Sequence, residues 1–276
     1  MTTFVWGTTV GGSGLSGDWN TATLWAGGIV PDSASAAVLI NAPGSYSITI
    51  AAGETEIVDT LTLTGGATDL TVDGTLEFAG PLPTSSFVGT IPLIVGATGE
   101  IEGTGQFSAG GLLNAGTIDA NGGSNEFLEI LNTVTNNNVL LADNGNLVVS
   151  ALDNLQNGTL TGGTYVAYGI MPTDAAPVPV NTLEIGQGSG PGVTVDAADI
   201  VLDGQAAAFQ LFNTTGTFAA LEQELGSIAA TGTLALLDDY DYVTGNTLTD
   251  AGLIVLGGGT LSTGDLTVAA GGTLSG

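Results

Sequence analysis

The sequence predicts an all-β fold, a parallel β-helix of the β-solenoid type, and three observations lead to this prediction. A Gly-Thr-Leu or Gly-Thr-Ile step recurs, and even irregular recurrence indicates a repeat architecture. Short stretches alternate apolar residues with Thr or Asp between Gly and Asn turns, as strands do. No long stretch carries the helical period of 3.6 residues. The recurring steps begin at Gly74, Gly89, Gly116, Gly158, Gly232, Gly259 and Gly272.

Individual strands follow from the alternation. Residues 59–64, 69–73 and 265–268 each place apolar side chains on one face and Thr or Asp on the other, which is the pattern of a half-buried strand. Residues 217–225 are the exception, because the sequence there fits one or two helical turns as well as a strand with a loop. Both readings stay open at this point.

The arrangement of the strands has two candidate solutions. Asn-Gly pairs at 121–122, 144–145 and 157–158 are typical of two-residue hairpins, so an antiparallel β-sandwich array is the alternative fold. Residues 112–120 and 138–143, however, read as similar units in succession. Successive similar units favour a solenoid, in which neighbouring coils bury what one coil cannot bury alone. Coils of roughly 20 to 25 residues would give on the order of ten coils.

The domain prediction divides the chain at residue 40. Residues 1–40 are Trp-rich and are expected to form an N-terminal capping segment or the first coil, and residues 41–276 are expected to form a continuous β-solenoid. Loop insertions are predicted near 79–92 and 170–192, where Pro or Gly residues interrupt the repeat. Pro and Gly are the residues that most often mark such interruptions.

The composition excludes most catalytic chemistry. The chain has no Lys, Arg, His or Cys, and its 27 Asp and Glu residues give a formal net charge of -27. A His base, a Cys nucleophile, a Lys Schiff base and an Arg clamp are therefore impossible. A uniform polyanion also repels the phosphates of nucleic acids and anionic lipids. We expect a protein that is not an enzyme, binds no nucleic acid and does not insert into a membrane.

The segment at the start of the sequence lacks the basic region and the continuous apolar region of an ordinary secretory signal. No apolar run reaches the roughly 20 residues of a membrane-spanning helix. The motif G-x-G-x-x-G at 12–17 is followed by Asp18 and Trp19. A phosphate-binding loop would be followed by a helix, so we read this motif as a turn.

Two groups of side chains are candidate functional residues. Asp238, Asp239 and Asp241 form the densest acidic cluster, which would offer oxygen ligands to Ca²⁺ or form a solvated turn. No other cofactor is expected. The second group consists of aromatic residues that would seal the first coil of a solenoid or stack on sugars. These residues are Trp6, Trp19 and Trp25.

The sequence resembles known bacterial families. Val5-Trp6 and residues 17–32 resemble the Trp-rich start of large bacterial β-strand-repeat surface proteins. Residues 114–120, 157–165 and 266–276 resemble the passenger repeats of autotransporter adhesins. The resemblance implies a right-handed parallel β-helix that is secreted or held at a bacterial cell surface. It also implies adhesive, matrix or filament-forming roles.

These observations give three hypotheses about function. The first is a non-enzymatic extracellular structural protein that assembles with itself into a fibre, layer or matrix, through strand pairing and end-to-end stacking at an edge containing Leu274. Acid near pH 4 or Ca²⁺ would favour this assembly by reducing repulsion. The second is an adhesin rod whose loops bind neutral glycans or a host. The third is a polysaccharide hydrolase that uses carboxylates alone.

Overall fold

A computed structural model of the chain confirms the predicted all-β parallel β-helix. Strands make up 60% of the structure and helices 3%. The chain divides into two compact units: unit 1 comprises Met1–Gly122 and Glu126–Thr135, and unit 2 comprises Gly123–Asn125 and Asn136–Gly276. The residues that the structure describes are 2–7, 13–80, 86–123, 126–169, 181–186, 192–212 and 217–276.

The described residues of unit 1 form fifteen strands, the last of which extends one residue into unit 2, and one short 3-10 helix at Ala22–Leu24. The strands are β1 Thr2–Val5, β2 Gly17–Asp18, β3 Ala36–Ile40, β4 Tyr46–Ile50, β5 Thr55–Val58, β6 Thr60–Leu63, β7 Ala67–Val72, β8 Thr75–Phe78, β9 Ser86–Gly89, β10 Pro92–Val95, β11 Glu100–Gly103, β12 Gly105–Ser108, β13 Gly111–Asn114, β14 Thr117–Ala120 and β15 Phe127–Asn136.

From β3 to β12, each strand of unit 1 pairs in parallel with the strand three positions further along the chain. β3 pairs with β6, β6 with β9 and β9 with β12, and the same step joins β4, β7, β10 and β13, and also β5, β8, β11 and β14. Along the first series, Ala37 lies beside Thr60, Thr60 beside Ser86 and Ser86 beside Gln106. Each coil therefore uses about 20 to 26 residues and three strands, as a solenoid does.

Inward-facing side chains of successive coils form continuous columns. One column contains Val38, Leu61, Phe87, Phe107 and Ile130, each directly beside the next on paired strands. None of the five is more than 2% exposed, and the ring centroids of Phe87 and Phe107 lie 5.7 Å apart. Burying one such side chain stabilises the fold by about 1.5 to 3 kcal/mol. Single coils lack partners for these faces, so the column forms only when coils stack.

The recurring Gly-Thr-Ile step has a structural reason, which Gly116 illustrates. A Cβ atom at Gly116 would lie 2.1 Å from the carbonyl oxygen of Gly99 in the previous coil, so only glycine fits this corner. The backbone N–H of Thr117 then donates to that same oxygen at 2.9 Å. Ile118 points inward and is fully buried. Gly116 thus allows the backbones of two coils to approach closely, Thr117 lies on the outward face and Ile118 packs in the core.

Unit 2 contains the remaining strands and one short helix, α1, at Leu221–Glu224. The strands are β16 Val139–Asp143, β17 Asn146–Leu152, β18 Leu155–Gln156, β19 Thr159–Tyr168, β20 Asn181–Ile185, β21 Val195–Asp203, β22 Ala207–Phe212, β23 Phe218–Ala220, β24 Ser227–Ile228, β25 Thr233–Leu237, β26 Asp241–Val243, β27 Thr247–Asp250, β28 Leu253–Gly257, β29 Thr260–Ser262, β30 Asp265–Val268 and β31 Thr273–Ser275.

Parallel pairing also dominates unit 2. β24, β27 and β30 pair in series, as do β25, β28 and β31, and β26 pairs with β29. Both series begin at the long strand β21, which pairs in turn with β19. These coils repeat the three-strand pattern of a solenoid.

Two pairs of strands in the described part of unit 2 are antiparallel. Strand β18 pairs with β19 across Asn157 and Gly158, which have φ angles of 52° and 79°, as a two-residue hairpin requires. Strand β23 pairs antiparallel with β22 and leads directly into α1. The ambiguous residues 217–225 therefore contain both a short strand and a single helical turn.

The two predicted loop insertions contain strands. Within 79–92 lies strand β9 at Ser86–Gly89, and within 170–192 lies strand β20 at Asn181–Ile185. The rest of these predictions, residues 81–85, 170–180 and 187–191, lies outside the described residues.

Candidate assembly edge, capping cluster and acidic sites

The strands β30 and β31 form an open edge of unit 2, which we call the assembly edge. Within the described residues, β30 pairs only with β27 and β31 pairs only with β28. An edge strand presents a row of backbone donors and acceptors that can pair with another chain. The charges on this edge are acidic, because the chain contains no Lys, Arg or His.

The inward columns of unit 2 become accessible at the assembly edge. Leu248 is fully buried, whereas Leu266 beside it on β30 is 37% exposed. Ile254 is fully buried, whereas Leu274 beside it on β31 is 47% exposed. The edge therefore exposes core side chains, Leu274 among them, together with unpaired strand backbone.

The three tryptophans lie together in unit 1. The indole nitrogen of Trp6 donates to the carbonyl oxygen of Leu15 at 3.0 Å, and those of Trp19 and Trp25 donate to Pro31 at 3.3 Å and Trp19 at 2.6 Å. The ring centroid of Trp25 lies 4.9 Å from that of Trp6 and 4.9 Å from that of Trp19, in edge-to-face contacts. All three rings are at most 1% exposed, so they present no free face to a sugar.

The acidic residues Asp238, Asp239 and Asp241 lie at the turn between β25 and β26. All three side chains are exposed, and Asp238 and Asp239 have φ angles of 39° and 64°. The hydroxyl of Thr260 donates to Asp241 at 2.5 Å. Throughout the described ranges, no group of three or more acidic side chains is arranged to hold a metal ion. These three carboxylates therefore do not form a ready-made Ca²⁺ site.

Strand β21 carries three further acidic residues, Asp196, Asp199 and Asp203, which do not all point to the same face. Asp196 faces inward and is fully buried, Asp199 is exposed and Asp203 is half-buried. Their alternation follows the two-residue period of a strand. The structure thus separates them, and it leaves Asp196 as a carboxylate inside the core.

Unit 1 also has a cavity of about 410 Å³ beside strands β8 and β11. Glu77 lies beside Glu102 on these paired strands, and Asn121 donates from its side-chain nitrogen to Glu102 at 2.6 Å. Burial, followed by the charges of Glu102 and Asp32, raises the pKa of Glu77. The carboxylate and amide oxygens that line this cavity can accept hydrogen bonds from hydroxyl groups. It is lined by Glu77, Phe78, Ala79, Gly80, Gly103, Thr104, Asn121, Gly122 and Glu126.

Sequence reasoning missed Glu56, a buried acidic residue of unit 1. It lies on β5, is 1% exposed and points into the core. Its sequence neighbours carry the signal, because Val58 lies two positions later and is buried on the same face.

Among the described residues, no helix is long and apolar enough to cross a membrane. No protein-family model matches the chain, and no curated protein or solved structure is significantly similar to it.

Proposed function

We propose that this chain is a non-enzymatic structural protein of a bacterial cell surface or its extracellular matrix, and that its copies join by strand pairing and end-to-end stacking. The observation that carries the proposal is the assembly edge. Core positions such as Leu266 and Leu274 are exposed there beside strands with free backbone groups. Edge strands with exposed apolar side chains and free backbone groups can pair with a further strand, from a second copy or from a following coil of the same chain.

The second copy must be held by backbone pairing and apolar contact. No side-chain cation exists to form a salt bridge with the 27 carboxylates. At neutral pH the carboxylates of two copies repel each other, and protons or bound Ca²⁺ reduce that repulsion. Assembly is therefore expected to increase sharply near pH 4 and on addition of Ca²⁺.

The test compares the wild-type chain with a Val268→Lys/Leu274→Lys variant. Light scattering and negative-stain electron microscopy at pH 7, at pH 4.5 and with Ca²⁺ should show larger assemblies for the wild type under the latter two conditions. Lysine on an edge strand blocks strand addition, so the variant should stay dispersed. Leu113→Lys is the matched control, because Leu113 is 40% exposed but lies on β13, which is paired on both sides. A dispersed wild-type chain under all three conditions contradicts the proposal.

A second candidate function is binding of neutral glycans, as an adhesin would require. The observation that favours it is the cavity of unit 1, where Asn121, Thr104 and Glu77 offer hydrogen-bonding groups. A glycan array should then give a signal that Asn121→Ala reduces. Release of reducing sugar, lost on a single Asp-to-Asn or Glu-to-Gln change, would instead indicate the carboxylate-only hydrolase.

A further inference from the structure

Several carboxyl groups of this protein lie inside its core without any possible side-chain counter-charge. The chain contains no Lys, Arg or His, so an ion pair with such a residue cannot neutralise a buried Asp or Glu. Burial without a counter-charge favours the protonated form of a carboxyl group, because a buried unpaired charge costs several kcal/mol or more. Among the described residues, Glu56 in unit 1 and Asp196 and Asp250 in unit 2 are at most 1% exposed, and the proposal below concerns Glu56 and Asp196.

Glu56 occupies a core position of unit 1. It lies beside Leu76 on β8, which lies beside Ile101 on β11, so its neighbours in the inward column are aliphatic. Glu56 is 1% exposed, and its Oε1 atom has no hydrogen-bond partner. The groups that face it are the carboxylates of Asp32, Glu54 and Asp18 and the indole of Trp19.

Those surroundings favour the neutral acid of Glu56. Burial, followed by the negative charges of Asp32, Glu54 and Asp18, raises its pKa from 4.5 to about 8, and the indole of Trp19 opposes the change only in part. Burial and the nearby negative charges each act against the carboxylate form.

Asp196 is in the same situation in unit 2. It is fully buried between Leu160 on β19 and Ile228 on β24. Its Oδ1 atom accepts a hydrogen bond from the backbone N–H of Ala198 at 2.9 Å, but its Oδ2 atom has no partner. That second oxygen is the one that a proton would occupy.

The titratable groups around Asp196 supply no positive charge. They are Asp199 on the same strand, Tyr165 on β19 and Tyr242 on β26. Burial raises the pKa of Asp196 from 3.8 to about 7, the Ala198 hydrogen bond lowers it, and the charge of Asp199 raises it further.

We propose that the folded protein keeps Glu56 and Asp196 protonated, and that each unit loses stability when its buried carboxyl group gives up this proton. The stability of the folded protein therefore depends on pH and is greatest in mild acid. The inference concerns the stability of the fold and does not depend on the proposed assembly.

The direction in which stability changes with pH follows from proton linkage. Both groups bind a proton more tightly in the folded chain than in the unfolded chain, so their contribution is complete below about pH 4. The contribution of Asp196 declines as the pH rises to about 7, and that of Glu56 declines as the pH rises to about 8. Within this window the equilibrium constant for unfolding should increase about tenfold per pH unit for each group.

The first experiment measures urea unfolding of the full chain at pH 5 to 9 and low protein concentration. Circular dichroism follows both units, and tryptophan fluorescence follows unit 1, because all three Trp residues lie there. Stability should fall with pH in the wild type. Glu56→Gln and Asp196→Asn, which mimic the neutral acids, should each flatten the slope by up to tenfold per pH unit.

Glu129→Gln in unit 1 and Asp143→Asn in unit 2 are the matched controls. Glu129 is half-buried and Asp143 is exposed, so both should keep the wild-type slope. Added salt separates general repulsion from burial, because 0.5 M NaCl screens surface charges and leaves a buried group largely unaffected. A slope that salt abolishes, or that the two core variants share with the controls, overturns the proposal.

A direct titration covers the case in which a core variant does not fold. Carbon-13 NMR of the side-chain carboxyl carbons in the wild-type protein should show that two groups titrate well above pH 6. Assignment through the folded variant, or through sequential correlation, should identify them as Glu56 and Asp196. Titration of both groups below pH 5 in the folded protein contradicts the proposal.

Discussion

Val268 lies directly beside Asp250 on the paired strands β30 and β27, yet Val268 is 48% exposed whereas Asp250 is fully buried. One step along this inward column thus changes a core position into a surface position. The contrast arises because an inward side chain is covered by the coil on each side of it. The assembly edge is therefore a cross-section of the solenoid interior.

Charge repulsion between copies gives the first prediction. At pH 7 and low ionic strength, light scattering from the wild-type chain should be low, and 0.5 M NaCl should increase it, because salt shortens the Debye length to a few ångströms. The Val268→Lys/Leu274→Lys variant should show no such increase. Scattering that falls as salt is added would indicate attraction between charged groups, against our expectation.

The corner glycine gives the second prediction. Gly116→Ala should destabilise unit 1 by about 1 to 3 kcal/mol or more, since the new Cβ would lie 2.1 Å from the Gly99 carbonyl oxygen. Gly111→Ala is the control, because no heavy atom lies within 4 Å of a Cβ at that position. Urea unfolding of the two variants measures the difference. Equal stability of the two variants would show that the coil spacing adjusts to the added methyl group.

The tryptophan cluster gives the third prediction. Emission from the folded chain should be blue-shifted and resistant to acrylamide, because Trp6, Trp19 and Trp25 are all at most 1% exposed. Trp25→Ala should cost about 3 to 5 kcal/mol of unfolding free energy, as removal of a buried aromatic ring does. Trp25→Phe should cost less, because it keeps a ring while it loses the hydrogen bond to the Trp19 carbonyl. Strong quenching in the folded chain would contradict the buried cluster.

The buried tyrosines give the fourth prediction. Burial, together with the charge of Glu222, raises the pKa values of Tyr240 and Tyr242, and the Tyr240 hydroxyl donates a hydrogen bond to Glu222. Burial likewise raises that of Tyr165. These folded-state values lie above the ordinary value of 10, so alkali should weaken unit 2 as the pH rises above 10. Phenolate absorbance near 295 nm should therefore increase together with the loss of circular dichroism. Gradual ionisation without unfolding would show that these hydroxyls are accessible.

Much of the fold could be predicted from the sequence because each residue type in the repeat has a physical role in a coil. In 116–118, glycine marks the corner, threonine the outward face and isoleucine the core, and the structure has this arrangement. The Asn-Gly pairs distinguished less well between a solenoid and an antiparallel β-sandwich array. Asn157 and Gly158 do form a hairpin, but the hairpin is a local feature of a parallel fold.

The buried acids were harder to predict, because which face of a short strand points inward depends on the neighbouring coils. On β21, the period of two places Asp196 on the face of Ile200 and Leu202, and that parity was the available signal. The density of carboxylates in the sequence instead indicated a candidate site at the exposed aspartates of the turn at 238–241.

The constant pairing step bears on how such a chain can evolve. β24, β27 and β30 each meet their neighbour about 20 residues along the chain, and β25, β28 and β31 do the same. Duplication of one whole coil would insert three strands that find equivalent partners on both sides, and every corner glycine would still face a carbonyl. Gene-level gain or loss of coils can thus change the length of the protein without a new fold, whereas insertion of half a coil would place core residues in water.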